Sequence, residues 1–186
     1  MIHADTSAIR DEVSWQMDRA REAASVVPIL GYVVAEMYGP DGELKARVAT
    51  NNLVTAVGDR LYASRGAGLT TSALPTGMKL GTGDEPVTKT GAGAALETYL
   101  SGSNKAFDAT FPSEAAGVVT YKRTYVAGEA TTASPITEAV IVTETISNND
   151  TSTAAETVSR VLLAGIGSKG ANDVLVITWT HTLLGA

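Results

Sequence analysis

The sequence contains no cysteine and little that suits catalysis by side chains. Disulfide bonds, thiolate metal sites and a cysteine nucleophile are therefore excluded, and assembly inside a cell is expected. Only two histidines are present, which excludes a histidine-rich metal cluster. Aromatic residues make up 5% of the chain, too few for an aromatic platform that would stack sugars or bases.

Positive charge is also scarce. The chain has 14 lysines and arginines against 20 acidic residues, and a formal net charge of −6. Binding to nucleic acid needs an excess of Lys and Arg or a basic stripe, so no nucleic-acid partner is expected. No apolar run reaches the roughly 18 residues of a membrane-spanning helix. The first 25 residues carry charges throughout and hold no signal-peptide core, so no membrane partner is expected either.

Alanine, threonine and glycine are abundant instead, with 28, 24 and 18 residues. Threonine is β-branched and suits a strand face that is open to water or to a polar partner. The 186 residues include 44% hydrophobic residues, which is enough for one domain with a real core and a short additional arm.

The predicted arm is residues 1–27. Its apolar residues are spaced by three or four positions and lie on one face of a predicted amphipathic helix: Ile9, Val13, Met17, Ala20 and Ala24. Pro28 ends this helix. Two interpretations stay open, in which the helix packs on its own domain or on a neighbouring subunit. For the second, the candidate partner-binding residues are Ile9, Val13, Trp15 and Met17.

Residues 28–186 show the pattern of a single β-domain. A hairpin is predicted from two strands, 29–38 and 43–49, joined by the Gly-Pro-Asp-Gly turn at 39–42. A short helix near 53–64 follows, with Asn52 as its expected N-cap. The remaining strands are expected at 78–80, 104–111, 117–127, 136–145, 157–164 and 173–184.

The last of these strands has the clearest alternation. One side carries Leu175, Ile177, Trp179, His181 and Leu183, and the other side carries valines and threonines. The segments 104–111 and 117–127 are expected to pair around Pro112. The sequence therefore predicts an all-β fold, a mainly antiparallel sandwich or jelly-roll-like domain, with an N-terminal amphipathic helix and one short helix.

No motif in the chain predicts catalysis, a metal or a cofactor. The loop GTGDEPVTKTG at 81–91 lacks the Gly-Lys-Ser/Thr ending of a nucleotide loop, so Gly81, Gly83 and Gly91 are interpreted as turn glycines. His181 has no Gly-x-Ser-x-Gly partner and is expected to be a hydrogen-bonded or solvated strand residue. Adjacent carboxylates point in different directions, so the pair Asp84-Glu85 is expected to be solvated and not a paired acid/base site. The loop at 147–151 lacks the ordered spacing of a calcium loop and is interpreted as a turn.

Four segments, in this order, resemble virion proteins of tailed bacteriophages. They are NNLVTAVGDRLYASR, MKLGTG, TYKRTYVAGEATTASPITEAVIV and VSRVLLAGIGSKGANDVLVITWTHTLLG, within about residues 50–185. The shared features are a GTG after a strand, an ITE-apolar strand, an SR strand start and a closing D-x-L-x-I-x-W strand. The arm lies outside this resemblance.

The resemblance implies a capsid decoration or cement protein, which is not an enzyme and uses no cofactor. Its expected partners are the major capsid protein and further copies of itself, as a homotrimer. It would be made in the host cytoplasm and would sit on the capsid exterior. A tail or fibre-associated virion protein, which could bind a host receptor, is the alternative. A carbohydrate-active or esterase-like enzyme on a β scaffold is a third hypothesis, which the few aromatics and the missing catalytic triad disfavour.

Overall fold

A computed structural model describes residues 29–183 of the chain. The predicted N-terminal helix, with Ile9, Val13, Trp15 and Met17, lies outside the described residues.

The described part contains nine strands, one α-helix and one short 3₁₀ turn. The strands are β1 (Leu30–Tyr38), β2 (Leu44–Val54), β3 (Gly77–Gly81), β4 (Lys105–Ala106), β5 (Ser113–Ala115), β6 (Val118–Tyr125), β7 (Glu138–Val142), β8 (Thr157–Leu162) and β9 (Val174–Thr182). The helix α1 is Ala56–Gly66 and the 3₁₀ turn is Ala92–Ala94. No helix within residues 29–183 is long and apolar enough to cross a membrane.

The strands are hydrogen-bonded in the order β4-β3-β7-β8-β2-β1-β9-β6-β5, and every pair is antiparallel. The sheet has two halves, β4-β3-β7-β8 and β5-β6-β9-β1-β2, and strand β2 connects them. Its residues 44–52 pair with β1, whereas Leu53 and Val54 pair with β8. The predicted architecture, mainly antiparallel β with one short helix, is confirmed for the described residues.

One hydrophobic core joins the two halves. It contains Val33 and Trp179 from the β5-β6-β9-β1-β2 half, and Leu80 and Ile141 from the β4-β3-β7-β8 half. Because one cluster draws on both halves, the sheet curls around its own core. In β9, Leu175, Ile177, Trp179 and His181 are buried and alternate with half-buried residues, as predicted.

The hairpin and the short helix are confirmed, with one correction. Strands β1 and β2 flank the turn in which Gly42 has a φ of 83°, a value that favours glycine. The helix begins later than predicted, because β2 continues through Val54. Thr55, not Asn52, is the N-cap, and its side chain accepts a hydrogen bond from the Gly58 N–H.

The predicted pairing of 104–111 with 117–127 is wrong. The first segment forms only the two-residue strand β4, which pairs with β3, whereas β6 lies between β5 and β9. The two segments still meet at Asp108, whose backbone N–H donates to the Lys122 carbonyl at 2.9 Å and whose carboxylate accepts from the Thr124 N–H and hydroxyl at 3.0 and 2.7 Å. Strand β6 pairs with β9 from Val118 to Tyr125 and with β5 on its other edge, so the first segment does not pair with it as a strand.

The two halves of the sheet differ in how they are covered. Every residue of β3 and β7 is buried, and β8 is buried except at its last residue. On the side away from the main core, Val140 and Val142 pack with Leu96, Tyr99 and Ile146, which lie on long connecting segments. These segments cover that half, whereas the half containing β1 and β9 has alternating exposure.

Candidate functional site

The outward side of the β5-β6-β9-β1-β2 half is the candidate functional site, and is called the open face below. Strand registers place its residues in rows across the strands. One row runs Ala49, Val34, Thr178 and Lys122, and the next runs Asn51, Tyr32, Thr180 and Thr120. These residues are half-buried or exposed, whereas Val33 and Ala35 on β1 and Ile177, Trp179 and His181 on β9 are buried on the core side.

The open face carries few charges. Glu36 and Arg47 stand opposite each other on β1 and β2 and form an ion pair at 3.2 Å. The Tyr38 hydroxyl donates a hydrogen bond of 3.0 Å to the same Glu36 carboxylate. This bond, together with burial, raises the pKa of Tyr38. Lys122 adds a further charge on β6. Most of the remaining surface is Thr, Val and Ala, so few ionised groups lie here, and scarcity of charge is typical of the centre of a protein–protein interface.

Exposed apolar side chains concentrate at the open face and its rim. The described residues include six large hydrophobics with high exposure, and four of them lie here: Leu30, Tyr32, Leu44 and Val126. A groove of about 580 Å³ lies where β1 begins, lined by Leu30, Tyr32, Asn51 and Thr182 among others. Apolar groups collected on one surface mark an interaction site more often than scattered ones do.

A buried cluster of polar side chains, called the His181 cluster below, lies on the core side of the same half. The Tyr62 hydroxyl from α1 is 2.6 Å from His181 Nδ1 and 2.9 Å from the Tyr121 hydroxyl. Ser159 Oγ and Asn52 Nδ2 each lie 3.3 Å from His181 Nε2. Burial lowers the pKa of His181 to about 3, so the imidazole is neutral at pH 7. Burial also raises the pKa values of the two tyrosines.

A glycine makes the His181 cluster possible. Gly31 of β1 is the register partner of both Asn52 on β2 and His181 on β9. A Cβ atom at this position would overlap the Asn52 side chain. Because Gly31 has no Cβ, the Asn52 side chain can lie over β1 and reach His181 on the strand beyond it. Ser159 Oγ donates to the Leu53 carbonyl at 2.9 Å, so its proton is already engaged. The geometry is that of a hydrogen-bonded core, as expected for His181.

Buried ion pairs in the other half were missed by the sequence reasoning. Arg160 and Glu138 are both fully buried, and the Arg160 Nη2 atom lies 2.8 Å from Glu138 Oε2. Lys79 is likewise fully buried, with its Nζ atom 2.7 Å from Glu144 Oε1. The available signal was the position of Glu138 directly before the apolar run at 139–142 and of Arg160 directly before Val161 and Leu162, where a charged side chain next to apolar strand residues is expected to be buried with a partner.

The loop at 81–91 has a structural role. Gly91 is a turn glycine with a φ of 73°, as predicted. Gly81 and Gly83 instead provide room for the Glu138 carboxylate, which a Cβ at either position would meet, so the turn interpretation is wrong for these two. Asp84 and Glu85 are exposed, and their N–H groups donate to Glu97 Oε2 at 2.7 Å. Within residues 29–183, no group of three metal-ligating side chains is placed to hold an ion.

The candidate partner-binding residues Ile9, Val13, Trp15 and Met17 lie outside the described residues, so the structure does not place them against the open face. Comparisons with protein-family models, with curated proteins and with solved structures found no match to this chain. Its function is therefore argued from its own residues.

Proposed function

We propose that this chain is a bacteriophage structural protein that decorates the capsid exterior and stabilises it by binding neighbouring major capsid subunits. The open face is the observation that carries the proposal. It combines a broad strand surface, few charges and several exposed apolar side chains, and both the scarcity of charge and the exposed apolar groups are typical of protein-binding surfaces. The order of the four sequence segments that resemble tailed-bacteriophage virion proteins supports the class of partner.

The open face by itself would supply most of a standard protein interface. Its four long strands, each about 4.8 Å wide and about nine residues long at about 3.3 Å per residue, give a surface about 20 Å wide and about 30 Å long. Its area of about 600 Å² is somewhat below the roughly 800 Å² that each partner buries in a standard interface. The arm, residues 1–27, supplies the remaining contact in this proposal.

The arm is the second contact. Its predicted apolar stripe, with Ile9, Val13 and Met17 and with Trp15 nearby, packs on an adjacent copy or on the capsid and holds the protein in a homotrimer. An isolated helix of about five turns is marginal in water, so such a stripe needs a surface to cover it. The chain is made in the host cytoplasm, where its lack of cysteine carries no disadvantage.

The β-domain suits a cement role because the half of its sheet formed by β4, β3, β7 and β8 is closely packed. In this proposal the curled sheet acts as a β-sandwich, and the two halves of the sheet are its two layers. The half away from the open face is buried on both sides and contains the Arg160–Glu138 ion pair. A close-packed body transmits the force between two capsid contacts without yielding.

Co-sedimentation with undecorated capsids tests the proposal. Tyr32→Lys places a charge on the open face, and Leu74→Lys places the same charge on an exposed leucine of the loop after α1. Both side chains are exposed, at 43% and 61%, so both variants are expected to fold. Tyr32→Lys should weaken capsid binding by about tenfold or more, as at an interface anchor, and Leu74→Lys should bind normally.

Equal binding by the two variants would contradict the role of the open face. Absence of the wild-type protein from sedimented capsids would contradict the capsid role itself. Electron microscopy of virions carrying a labelled chain then locates the protein, and a label on the tail or fibres would establish the alternative virion role.

A further inference from the structure

The outer side of β3 carries a buried lysine with two carboxylates. Lys79 lies at the centre of β3 and its side chain is fully buried. Its Nζ atom is 2.7 Å from Glu144 Oε1 and 3.5 Å from Asp150 Oδ1, and it donates a hydrogen bond of 2.9 Å to the Asp150 carbonyl. The three side chains are called the Lys79 triad below.

The surroundings of the triad separate the amine from water. Glu144 has 3% of its side chain exposed, and the Tyr99 ring centroid lies 5.4 Å from the lysine Nζ atom. Val140, the register partner of Lys79 on β7, belongs to the apolar cluster on this side of the sheet. Asp150 differs, because 71% of its side chain is exposed above the buried amine.

We propose that Lys79 and Asp150 join in an intramolecular amide bond, formed by the chain itself with Glu144 as the proton carrier. The amine is held beside the carboxyl group, as required for an intramolecular reaction with a high effective concentration. The Glu144 carboxylate lies 2.7 Å from the Lys79 Nζ atom, so it is placed to accept an ammonium proton, and that transfer frees the nitrogen lone pair.

The reaction needs no further reagent. The Lys79 ammonium gives a proton to Glu144, and the free amine attacks the Asp150 Cγ atom to form the new carbon–nitrogen bond. The two protons that the nitrogen loses are carried by way of Glu144 to one carboxyl oxygen of Asp150. The bond between that oxygen and Cγ then breaks with its electron pair on the oxygen, which leaves as water. Glu144 ends as a carboxylate, and one ammonium plus one carboxylate have become one amide and one water molecule.

The exposure of Asp150 is consistent with this step. The water forms on the solvent side of the triad and can leave, whereas the amine approaches from the dry side. The product replaces a buried cation by a neutral amide, which removes the desolvation cost of the charge. It also joins residues 71 positions apart in a chain without cysteine, and so restricts the unfolded chain as a disulfide would.

A second lysine–aspartate contact in the same chain is a matched internal control. Lys89 Nζ lies 2.6 Å from Asp59 Oδ2, closer than the amine is to Asp150 in the triad. Both of its side chains are about half exposed, at 50% and 46%. Because water solvates this amine, the proposal requires that the Lys89–Asp59 pair stays an ordinary ion pair.

Mass spectrometry of the denatured full chain tests the proposal. The wild-type chain is expected to be lighter than its sequence by one water molecule, and Asp150→Ala, a change at an exposed side chain, should have its full sequence mass. Proteolysis should yield a branched peptide that joins Lys79 to Asp150. No peptide should join Lys89 to Asp59. Glu144→Gln keeps the shape of the side chain and should leave most of the protein unlinked.

Three results would overturn the proposal. The first is a wild-type chain at full sequence mass, with trypsin cleaving after Lys79. The second is a loss of water that persists in Asp150→Ala, because the link would then lie elsewhere. The third is a fully linked Glu144→Gln variant, which would remove Glu144 from the reaction.

Discussion

The stability of this protein should depend on pH through the single imidazole of the His181 cluster. The unfolded chain binds a proton on this residue near the ordinary pKa of 6.5, whereas burial lowers the pKa in the folded protein to about 3. Between these values the unfolded chain holds more protons than the folded one. The free energy of unfolding therefore falls as the pH falls through this window.

The size of the effect follows from the shift. Each pH unit inside the window removes about 1.4 kcal/mol, so the loss at about pH 4.5 is roughly 3 kcal/mol. That is a large share of the roughly 5–15 kcal/mol that stabilises an ordinary domain. His181→Gln removes the titrating group and should cost on the order of 1 kcal/mol at pH 7, because it disturbs the hydrogen bond with Tyr62.

Urea unfolding at about pH 7 and about pH 4.5 measures this difference. The wild-type protein should lose roughly 3 kcal/mol more than His181→Gln over this range. His3→Gln changes the only other histidine of the chain and should keep the wild-type dependence. Parallel pH profiles for the wild type and His181→Gln would refute the reasoning, because they would mean that His181 is protonated in the folded state.

Four further substitutions, at Gly31, Asn52, Glu138 and Thr55, test the packing of the fold by thermal and urea unfolding. Gly31→Ala should destabilise by about 1–3 kcal/mol through overlap with Asn52, and Asn52→Ala should relieve part of that cost; additive effects would contradict the overlap. Glu138→Ala should cost about 3–5 kcal/mol because it leaves Arg160 buried without its carboxylate, and an effect below about 1 kcal/mol would contradict the pair. Thr55→Ala should cost about 0.5–2 kcal/mol, and no change would rule out its capping role.

The sequence by itself determined the elements whose residues act locally. The alternation along β9, from Leu175 to His181, indicates one buried and one open side of the strand, because neighbouring side chains of a strand point in opposite directions. The β1–β2 hairpin followed from its Gly-Pro-Asp-Gly turn, which is also a local signal. The abundance of threonine predicted an open strand face, and Thr178 and Thr180 lie on one.

Pairing between distant segments was decided by the tertiary structure. The sequence placed strands near 104–111 and 117–127 but paired them with each other, whereas β4 lies beside β3 at the opposite end of the sheet from β6. The helix start also moved, since pairing of Leu53 and Val54 with β8 extended β2 and left the capping role to Thr55. Local propensity carries no information about which distant strand supplies hydrogen bonds.

The buried charges were likewise decided only by the fold. Lys79 and Arg160 are strand residues whose side chains would face solvent if the sheet had one open side there. Long connecting segments cover that side, and the backbone N–H groups of Glu97 and Thr98 donate to Glu138, the carboxylate that pairs with Arg160. A charge is stable inside a protein only when partners from several segments meet it. The sequence determined which residues alternate along each strand, and the tertiary structure decided which of those sides meets water.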